Sequence, residues 1–227
     1  HEYAGVMCGI MDQFASGMGK ANHAIFLDCD TLDFSLVPVK LKGAKIIISN
    51  TNSPHRLDSG KYNQRVAECR EAVREISKLF KPIKALVECS LSEFKLIEDK
   101  FTNKTAQRRA RHVISEIART EEAVRQLKQG NLEQFGELMN ASHNSLRDDY
   151  EVTGFELDTM VEEAWKIDGV IGSRMTGGGF GGCTVSIVKD EIIDTFIDQV
   201  GKNYEQKTGL KADIYVAEIS DGSKKIF

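Results

Sequence analysis

A glycine-rich stretch near the C-terminal end constrains the fold of this chain more than any other feature. Residues 174–185 read Arg-Met-Thr-Gly-Gly-Gly-Phe-Gly-Gly-Cys-Thr-Val. Glycine costs backbone entropy on folding, so such a run is expected where the backbone needs positive φ or a very close approach. Two interpretations stay open at this point. The backbone N–H groups could form an anion-binding concavity, or the run could form a tight hairpin that lets two packed layers approach.

The spacing of Gly177, Gly179 and Gly182 also satisfies G-x-G-x-x-G. A dinucleotide-binding turn needs a helix directly after the glycines. Residues 183–188 alternate and are β-branched, which predicts a strand instead. No Gly-Lys-Ser/Thr closes the run, so it is not a Walker A loop either. The surroundings of the glycines therefore argue against both of these nucleotide-binding motifs.

Composition places the chain among ordinary globular proteins and excludes several functional classes. Its 227 residues are 41% hydrophobic with a net charge of −4, which allows a sizeable core and gives no reason to expect nucleic acid or an anionic membrane as a partner. Five cysteines without C-x-x-C spacing argue against a disulfide framework or a zinc site and indicate a reducing, cytoplasmic compartment. No apolar run reaches the ~18 residues that span a bilayer.

Periodicity and turn residues predict an α+β architecture, because strands are few and are separated by helices. The expected strands are 24–29 and 34–39, which form a hairpin, then 45–50, 183–188 and 213–218. The expected helices are 59–80, 92–99, 104–129, 132–147, 155–167 and 191–208. The basic residues at 104–112 are followed by acidic ones, so we interpret this segment as a solvated helix face.

Several polar residues have a structural and a functional interpretation. Asp12 is either a helix N-cap or a general base held in a site. Tyr62, near the start of a predicted helix, is either a half-buried packing residue or a ligand contact. His112 and His143 are predicted to be core or surface residues, because neither has a Cys or His neighbour at metal-ligand spacing.

Four motifs resemble the galactokinase members of the GHMP kinase superfamily (galactose, homoserine, mevalonate and phosphomevalonate kinases). They are Cys-Gly-Ile-Met-Asp-Gln-Phe at 8–14, Arg-Ala-Arg-His-Val at 109–113, Ser-His-Asn-Ser-Leu-Arg-Asp-Asp-Tyr-Glu-Val at 142–152, and the glycine stretch at 175–183. The likeness runs along nearly the whole chain. It implies a GHMP-kinase-like α+β fold in two layers, with helices on a mainly antiparallel sheet. Residues 1–43 would be a remnant of an N-terminal sugar and ATP domain, and residues 44–227 the C-terminal GHMP-kinase domain.

The resemblance implies ATP-dependent phosphorylation of the C1 hydroxyl of galactose. Asp12 would be the catalytic residue that takes or orients the hydroxyl proton, and Gly9 and Tyr62 would contact the sugar. The glycines beside the ATP phosphates would be Gly177, Gly178, Gly179 and Gly181. We therefore expect valine at Gly178 to impair folding or ATP use, because a β-branched residue tolerates positive φ poorly.

Three motifs of intact galactokinases do not occur here: an N-terminal Arg, a Glu-His-x-Asp sugar-binding stretch, and a Gly-Leu-Ser-Ser-Ser loop that cradles ATP and supplies a Mg²⁺ ligand. The chain also opens at His1 with residues typical of a protein interior. We expect a fragment whose Mg²⁺ ligands lie mostly outside it, so no metal ligand is assigned. Alone it should have little or no kinase activity, and uncovered apolar surface would favour self-association.

Two other functions stay open. One is a galactokinase-like sensor that binds galactose and ATP and signals to a transcription apparatus without turnover. The other is a different small-molecule kinase of the superfamily, for N-acetylgalactosamine or mevalonate. The glycine stretch and Asp12 favour the enzyme over the sensor, and residues 9–14 argue against the other kinase.

Overall fold

The computed structural model describes residues 9–53 and 59–224. Residues 1–7, which gave part of the reason to expect a fragment, lie outside these ranges. The described part begins with helix α1 (Met11–Met18) and an antiparallel pair of strands, β1 (His23–Leu27) and β2 (Phe34–Pro38). The hairpin predicted from the sequence is therefore confirmed.

A separate four-stranded sheet forms the centre of the fold. It contains β3 (Ala44–Asn50), β4 (Val170–Met175), β5 (Cys183–Lys189) and β6 (Asp213–Ala217), in the order β4-β5-β3-β6. Every neighbouring pair is antiparallel. Strand β4 was not predicted, because Gly172 and Ser173 interrupt its short apolar run.

The six α-helices expected from the sequence form within two residues of their predicted bounds. They are α2 (Ser59–Leu79), α3 (Leu91–Ile97), α4 (Lys104–Gln129), α5 (Leu132–Ser145), α6 (Phe155–Trp165) and α7 (Ile193–Thr208). Short 3₁₀ segments occupy Leu86–Glu88, Glu98–Lys100 and Asp190–Ile192, and a π-helical turn occupies Leu146–Tyr150. Local capping explains the bounds of α4. At its start, Asn103 Oδ1 accepts the N–H groups of Thr105 and Ala106 at 3.0 and 3.1 Å. At its end, Gly130 adopts a φ of 77° and ends the helix.

Helices cover both faces of the sheet. Helices α6 and α7 bury Val188 on one face, whereas α5 packs against Ile187 on the other. Adjacent residues of a strand point to opposite faces, so β5 is buried on both sides. The α+β class and the antiparallel sheet are confirmed, and the structure adds a further helical layer to the two that the sequence predicts.

Helices α2, α3 and α4 enclose a second core beside the sheet. Its buried members include Ala72, Ile76, Phe94, Ile97, Ala110 and Ile114. The buried Glu75 carboxylate of α2 accepts hydrogen bonds from the Thr102 and Asn103 N–H groups at 3.1 and 3.0 Å. Glu75 therefore joins α2 to the start of α4 by satisfying backbone donors.

Helix α5 crosses β4 at two glycines. A Cβ atom added to Gly136 would lie 2.1 Å from the Ile171 carbonyl oxygen, and one added to Gly172 would lie 2.6 Å from the Gly136 Cα. Backbone atoms on both sides cannot withdraw as a flexible side chain could. The distance between α5 and β4 is therefore set by the absence of these two side chains.

We expect Gly136→Ala to lower the free energy of unfolding by about 3 kcal/mol, because the added methyl group overpacks a backbone contact. Urea titration followed by circular dichroism would measure the change. Gly201→Ala in α7 is the control, since the nearest atom to its added Cβ lies 3.8 Å away. That variant should gain about 0.5–1 kcal/mol from helix propensity. Equal effects of the two substitutions would contradict this account of the crossing.

Candidate functional site

The glycine stretch forms a hairpin loop at residues 176–182 between β4 and β5. Positive φ angles occur at Gly177 (81°), Gly179 (81°), Phe180 (59°), Gly181 (121°) and Gly182 (91°). A strand follows the loop, so the hairpin interpretation is confirmed. Phe180 is the residue that sequence reasoning missed, because a bulky side chain rarely takes positive φ.

Gly178 does not have the strain that the sequence led us to expect. Its φ is not positive, and a Cβ added to it would meet no atom within 4 Å. The expectation that Gly178 needs a special backbone is therefore wrong. The constrained position is its neighbour Gly179, where an added Cβ would lie 2.1 Å from the Val152 carbonyl oxygen.

Separate parts of the chain hold the middle and the C-terminal end of the glycine loop. The Phe180 N–H donates to the Val152 carbonyl oxygen at 2.6 Å. The Thr51 N–H and hydroxyl both donate to the Gly182 carbonyl oxygen, at 3.0 and 2.7 Å. Gly177 and Gly178, which precede both anchors, are exposed, whereas Gly179 and Gly181 are buried. The tip of the loop is therefore the part that a ligand can approach.

Helix α5 holds the strand that leads into the loop. The fully buried His143 accepts the Met175 N–H at Nδ1 over 3.2 Å, and Asn140 Oδ1 accepts the Ser173 N–H at 2.8 Å. The predictions that His143 and His112 are structural agree with their burial. The motif at 142–152 therefore holds two places. His143 binds the end of β4, which leads into the loop, and Val152 binds the loop itself.

An ionic cluster, which we call the arginine bracket, consists of Arg65, Glu68, Arg109 and Glu151. Arg109 is only 2% exposed and donates to Glu68 Oε2 and to Glu151 Oε2, each at 2.7 Å. The hydrogen bond from Arg109 lowers the pKa of Glu151. The interpretation of residues 104–112 as a solvated face is thus wrong for Arg109, because its guanidinium has carboxylate partners that permit burial.

His112 lies beside the bracket, stacked on the Tyr150 ring with centroids 4.4 Å apart. Its Nδ1 lies 3.0 Å from the Ser145 hydroxyl oxygen. Burial lowers the pKa of His112 to about 4, with Glu116 and Asp149 opposing that shift and Arg119 and Arg174 adding to it. The neutral imidazole is therefore the form that the fold accommodates.

We expect stability to fall when pH drops below 6.5, because unfolding then lets His112 take up a proton that the folded state excludes. The lowered pKa makes this contribution complete above pH 6.5 and lost progressively toward pH 4. At pH 5 the loss from this residue is about 2 kcal/mol. Urea midpoints at pH 7.5 and 5 for the parent and His112→Gln would measure it. Equal pH dependence in both proteins would contradict the prediction.

A cavity of about 450 Å³ lies between α1, the β1–β2 hairpin, α4, α5 and the sheet. Met11 and Gly177 both line it, with Arg174 and Thr176 beside the loop. At its polar end Glu116 accepts the Ser142 hydroxyl at 2.5 Å and lies 3.6 Å from Arg174 Nη1. The start of α1 and the glycine loop therefore border the same space.

Asp12 lies in the first turn of α1, next to Met11, and its side chain is exposed. The N-cap residue is Ile10, without a side-chain capping bond, so the N-cap interpretation of Asp12 is wrong. Within the described ranges its carboxylate forms no hydrogen bond or ion pair, and the helix dipole favours a negative charge there. Gly9 lines a neighbouring cavity of about 600 Å³, which Met11 also lines.

Tyr62 is half-buried on α2 and lines neither cavity. Its neighbours Lys61 and Arg65 lie over the Phe180 ring, 5.1 and 6.0 Å from the centroid. Helix α2 therefore contacts the glycine loop through the residues on either side of Tyr62 in the sequence. Tyr62 and Asp12 are not brought into one cavity by the described residues.

No helix of the described ranges is both long and apolar enough to cross a membrane. No three His, Cys, Asp or Glu side chains of residues 9–53 and 59–224 are grouped so that they could hold a metal ion.

Several known proteins are similar to this chain. Residues 123–206 match the family model GHMP kinases C terminal. The galactokinases of Fusobacterium nucleatum and Bacillus subtilis are 50% and 47% identical to the chain over 226 residues. Along its whole length, the chain is therefore similar to part of these galactokinases. It spans 58% of the length of each of these two relatives.

A solved structure is also similar to this chain. The crystal structure of Lactococcus lactis galactokinase complexed with galactose superposes with a TM-score of 0.93 at 48% identity. The match covers 99% of this chain and 58% of that one. The GHMP-kinase fold expected from the motifs is therefore confirmed along the chain.

Proposed function

We propose that the protein to which this chain belongs transfers a phosphoryl group from ATP to the C1 hydroxyl of galactose. The observation that carries the proposal is the cavity that the start of α1 and the glycine loop border together. Met11 and the exposed Gly177 both line this cavity, and Asp12, whose side chain is exposed, is the next residue of α1. Galactokinases that match the whole chain, one of them solved with galactose, support the choice of substrate.

In this proposal Asp12 takes or orients the proton of the C1 hydroxyl. A carboxylate that is exposed and free of intramolecular partners in the described ranges can accept such a hydrogen bond. Gly9 contacts the sugar through its backbone, since it lines the adjoining cavity. Tyr62 contacts a sugar hydroxyl from α2. We also propose residues 1–43 and 44–227 as the two domain portions, which suits the separation of the β1–β2 hairpin from the four-stranded sheet.

The glycine loop fits a position beside the ATP phosphates. Gly177 and Gly178 leave open space where a Cβ would stand, so an anionic group can come close to their backbone. Gly179 and Gly181 are buried and help to define the conformation of the loop. Phosphoryl transfer depends mainly on positioning and electrostatic stabilisation, which a rigid loop supplies.

Mg²⁺ fits the described residues less well than ATP does. No three candidate ligand side chains are grouped in these ranges. We propose that most of its ligands lie outside the part of the relatives that this chain spans. For the same reason we expect residues 1–227 alone to show little or no turnover.

We also propose a cytoplasmic location and self-association of residues 1–227. The described cysteines Cys29, Cys69, Cys89 and Cys183 are free thiols, as is usual in a reducing compartment. Apolar side chains are exposed around α1 and the hairpin, with Met11 at 57% and Leu32 at 53%, and such surface favours association. Sedimentation of the chain at several concentrations would test this, and a monomer throughout would contradict it.

The test of the proposed function is a phosphorylation assay of the full-length gene product with ATP and a substrate panel. Galactose should be phosphorylated much faster than N-acetylgalactosamine or mevalonate, with galactose 1-phosphate as the product. Binding of galactose and ATP without turnover would favour the sensor instead. Preference for another substrate would favour a different kinase of the superfamily.

A further inference from the structure

The arginine bracket lies directly behind the glycine loop, yet none of its members lines the cavity described above. We propose that Arg109 is a positioning residue for the proposed phosphoryl transfer. It fixes residues 149–151 and thereby fixes the Val152 carbonyl group against which the loop is built. The proposal rests on the proposed function for its catalytic half only, since the placement of the loop can be measured without turnover.

Arg109 connects three parts of the chain with one guanidinium group. Its Nε donates to Glu68 of α2 at 2.7 Å, its Nη1 donates to the Asp149 carbonyl oxygen at 2.6 Å, and its Nη2 donates to Glu151 at 2.7 Å. Each nitrogen has a different acceptor, and the side chain is 2% exposed. The planar fork of arginine can satisfy these acceptors together, whereas a lysine ammonium at the end of a flexible stem cannot.

Arg65 adds a second hold on the same segment. Its Nε donates to the Tyr150 carbonyl oxygen at 2.7 Å, and its Nη2 donates to the Glu151 carbonyl oxygen at 2.9 Å. The two arginines therefore bind the backbone carbonyl groups of three successive residues, 149, 150 and 151. These contacts fix a segment that leaves the π-helical turn at Glu151 with φ 55°, an uncommon conformation for glutamate.

Val152 passes this placement on to the loop. Its carbonyl oxygen accepts the Phe180 N–H at 2.6 Å, and the same oxygen would be 2.1 Å from a Cβ at Gly179. A shift of residues 149–152 would therefore move or release the middle of the loop. The exposed tip at Gly177 and Gly178 lies immediately before this anchor, so its distance from a bound phosphate depends on the anchor.

The test uses Arg109→Lys in the full-length gene product, with two measurements. Hydrogen exchange of the Phe180 amide, followed by NMR in the ligand-free protein, should become on the order of tenfold faster or more, because the Val152 acceptor is no longer held. The kcat for galactose phosphorylation, counted per folded molecule, should fall on the order of tenfold or more, since small displacements of positioning groups cost rate. KM for galactose should change less than about threefold, because the proposed sugar contacts remain.

Two further variants separate positioning from general stability. Glu75→Gln changes another buried carboxylate of α2. That carboxylate accepts hydrogen bonds from Thr102 and Asn103 and not from the residues that support the loop. This variant should destabilise the protein as a whole. The rate at which the Phe180 amide exchanges through local opening should stay unchanged, and so should kcat per folded molecule. Glu151→Gln is the milder partner variant, since that side chain is 43% exposed. It should repeat both effects of Arg109→Lys at smaller size even if the lysine variant folds poorly.

These measurements test the positioning role of Arg109 separately from the proposed function. Parent-like exchange of the Phe180 amide in Arg109→Lys and Glu151→Gln would overturn the positioning role. Faster exchange with unchanged kcat per folded molecule would overturn its link to catalysis. A parent protein without galactose turnover would instead refute the proposed function, and the exchange measurement would still decide whether Arg109 places the loop.

Discussion

Gly179→Ala is expected to lower the free energy of unfolding by about 2–5 kcal/mol. The φ of 81° at this position costs a residue with a Cβ about 1–2 kcal/mol. The methyl group would also overlap the Val152 carbonyl oxygen at 2.1 Å, and such overpacking costs about 1–3 kcal/mol. Relief of that overlap would break the neighbouring bond from the Phe180 N–H. Chemical denaturation of parent and variant measures the loss.

Gly178→Ala is the matched control for this prediction. It adds the same methyl group one residue earlier, where φ is not positive and no atom lies within 4 Å of the new Cβ. We expect its stability to stay within about 0.5 kcal/mol of the parent. If alanine at 178 and at 179 proved equally harmful, the contact with Val152 would not be what constrains the loop.

Asp12→Asn in the full-length gene product is expected to lower kcat for galactose by about 10²–10⁴-fold, the usual contribution of a general base. The substitution keeps the size of the side chain and removes its charge. Because Asp12 is exposed and makes no bond within the described residues, the melting temperature should change little. Initial rates at saturating galactose and ATP, with a thermal melt of the same sample, would provide both values.

The control for Asp12 is Asp194→Asn. Asp194 is also an exposed aspartate in the first turn of a helix, α7, and so has the same favourable position relative to the helix dipole. Its replacement should leave kcat unchanged while it costs a similar few tenths of a kcal/mol in stability. An Asp12→Asn protein as fast as the parent would remove Asp12 from the mechanism.

Local patterns were sufficient for six of the seven α-helices and for five of the six strands of the described chain, whereas α1 and β4 were not predicted. The apolar run of β3 and the β-branched alternation of β5 identified the sheet, because both strands are covered on their faces. Strand β4 carries Gly172 and Ser173 at its centre, where α5 comes too close for larger residues. A short strand whose small residues allow a close approach lacks the large apolar side chains from which a strand is predicted.

The site was predictable to a different degree at each residue. The glycine run indicated unusual backbone, yet which glycine needs it depends on Val152, a residue distant in sequence whose carbonyl group has no sequence signal. Arg109 stood in a run of basic residues that is typical of solvated helices, and only its pairing with Glu68 and Glu151 explains its burial. The proposed roles of Gly9, Asp12 and Tyr62 came from the family resemblance and stay predictions.

The anchors of the glycine loop lie far from it along the chain. Val152 precedes the loop by a whole helix and a strand, and Thr51, which binds Gly182, is 131 residues away. Residues 174–185 grafted onto the hairpin of another protein would therefore keep the sequence of the motif but not its conformation. Engineers who wish to move this loop must move the supporting carbonyl group and the threonine with it.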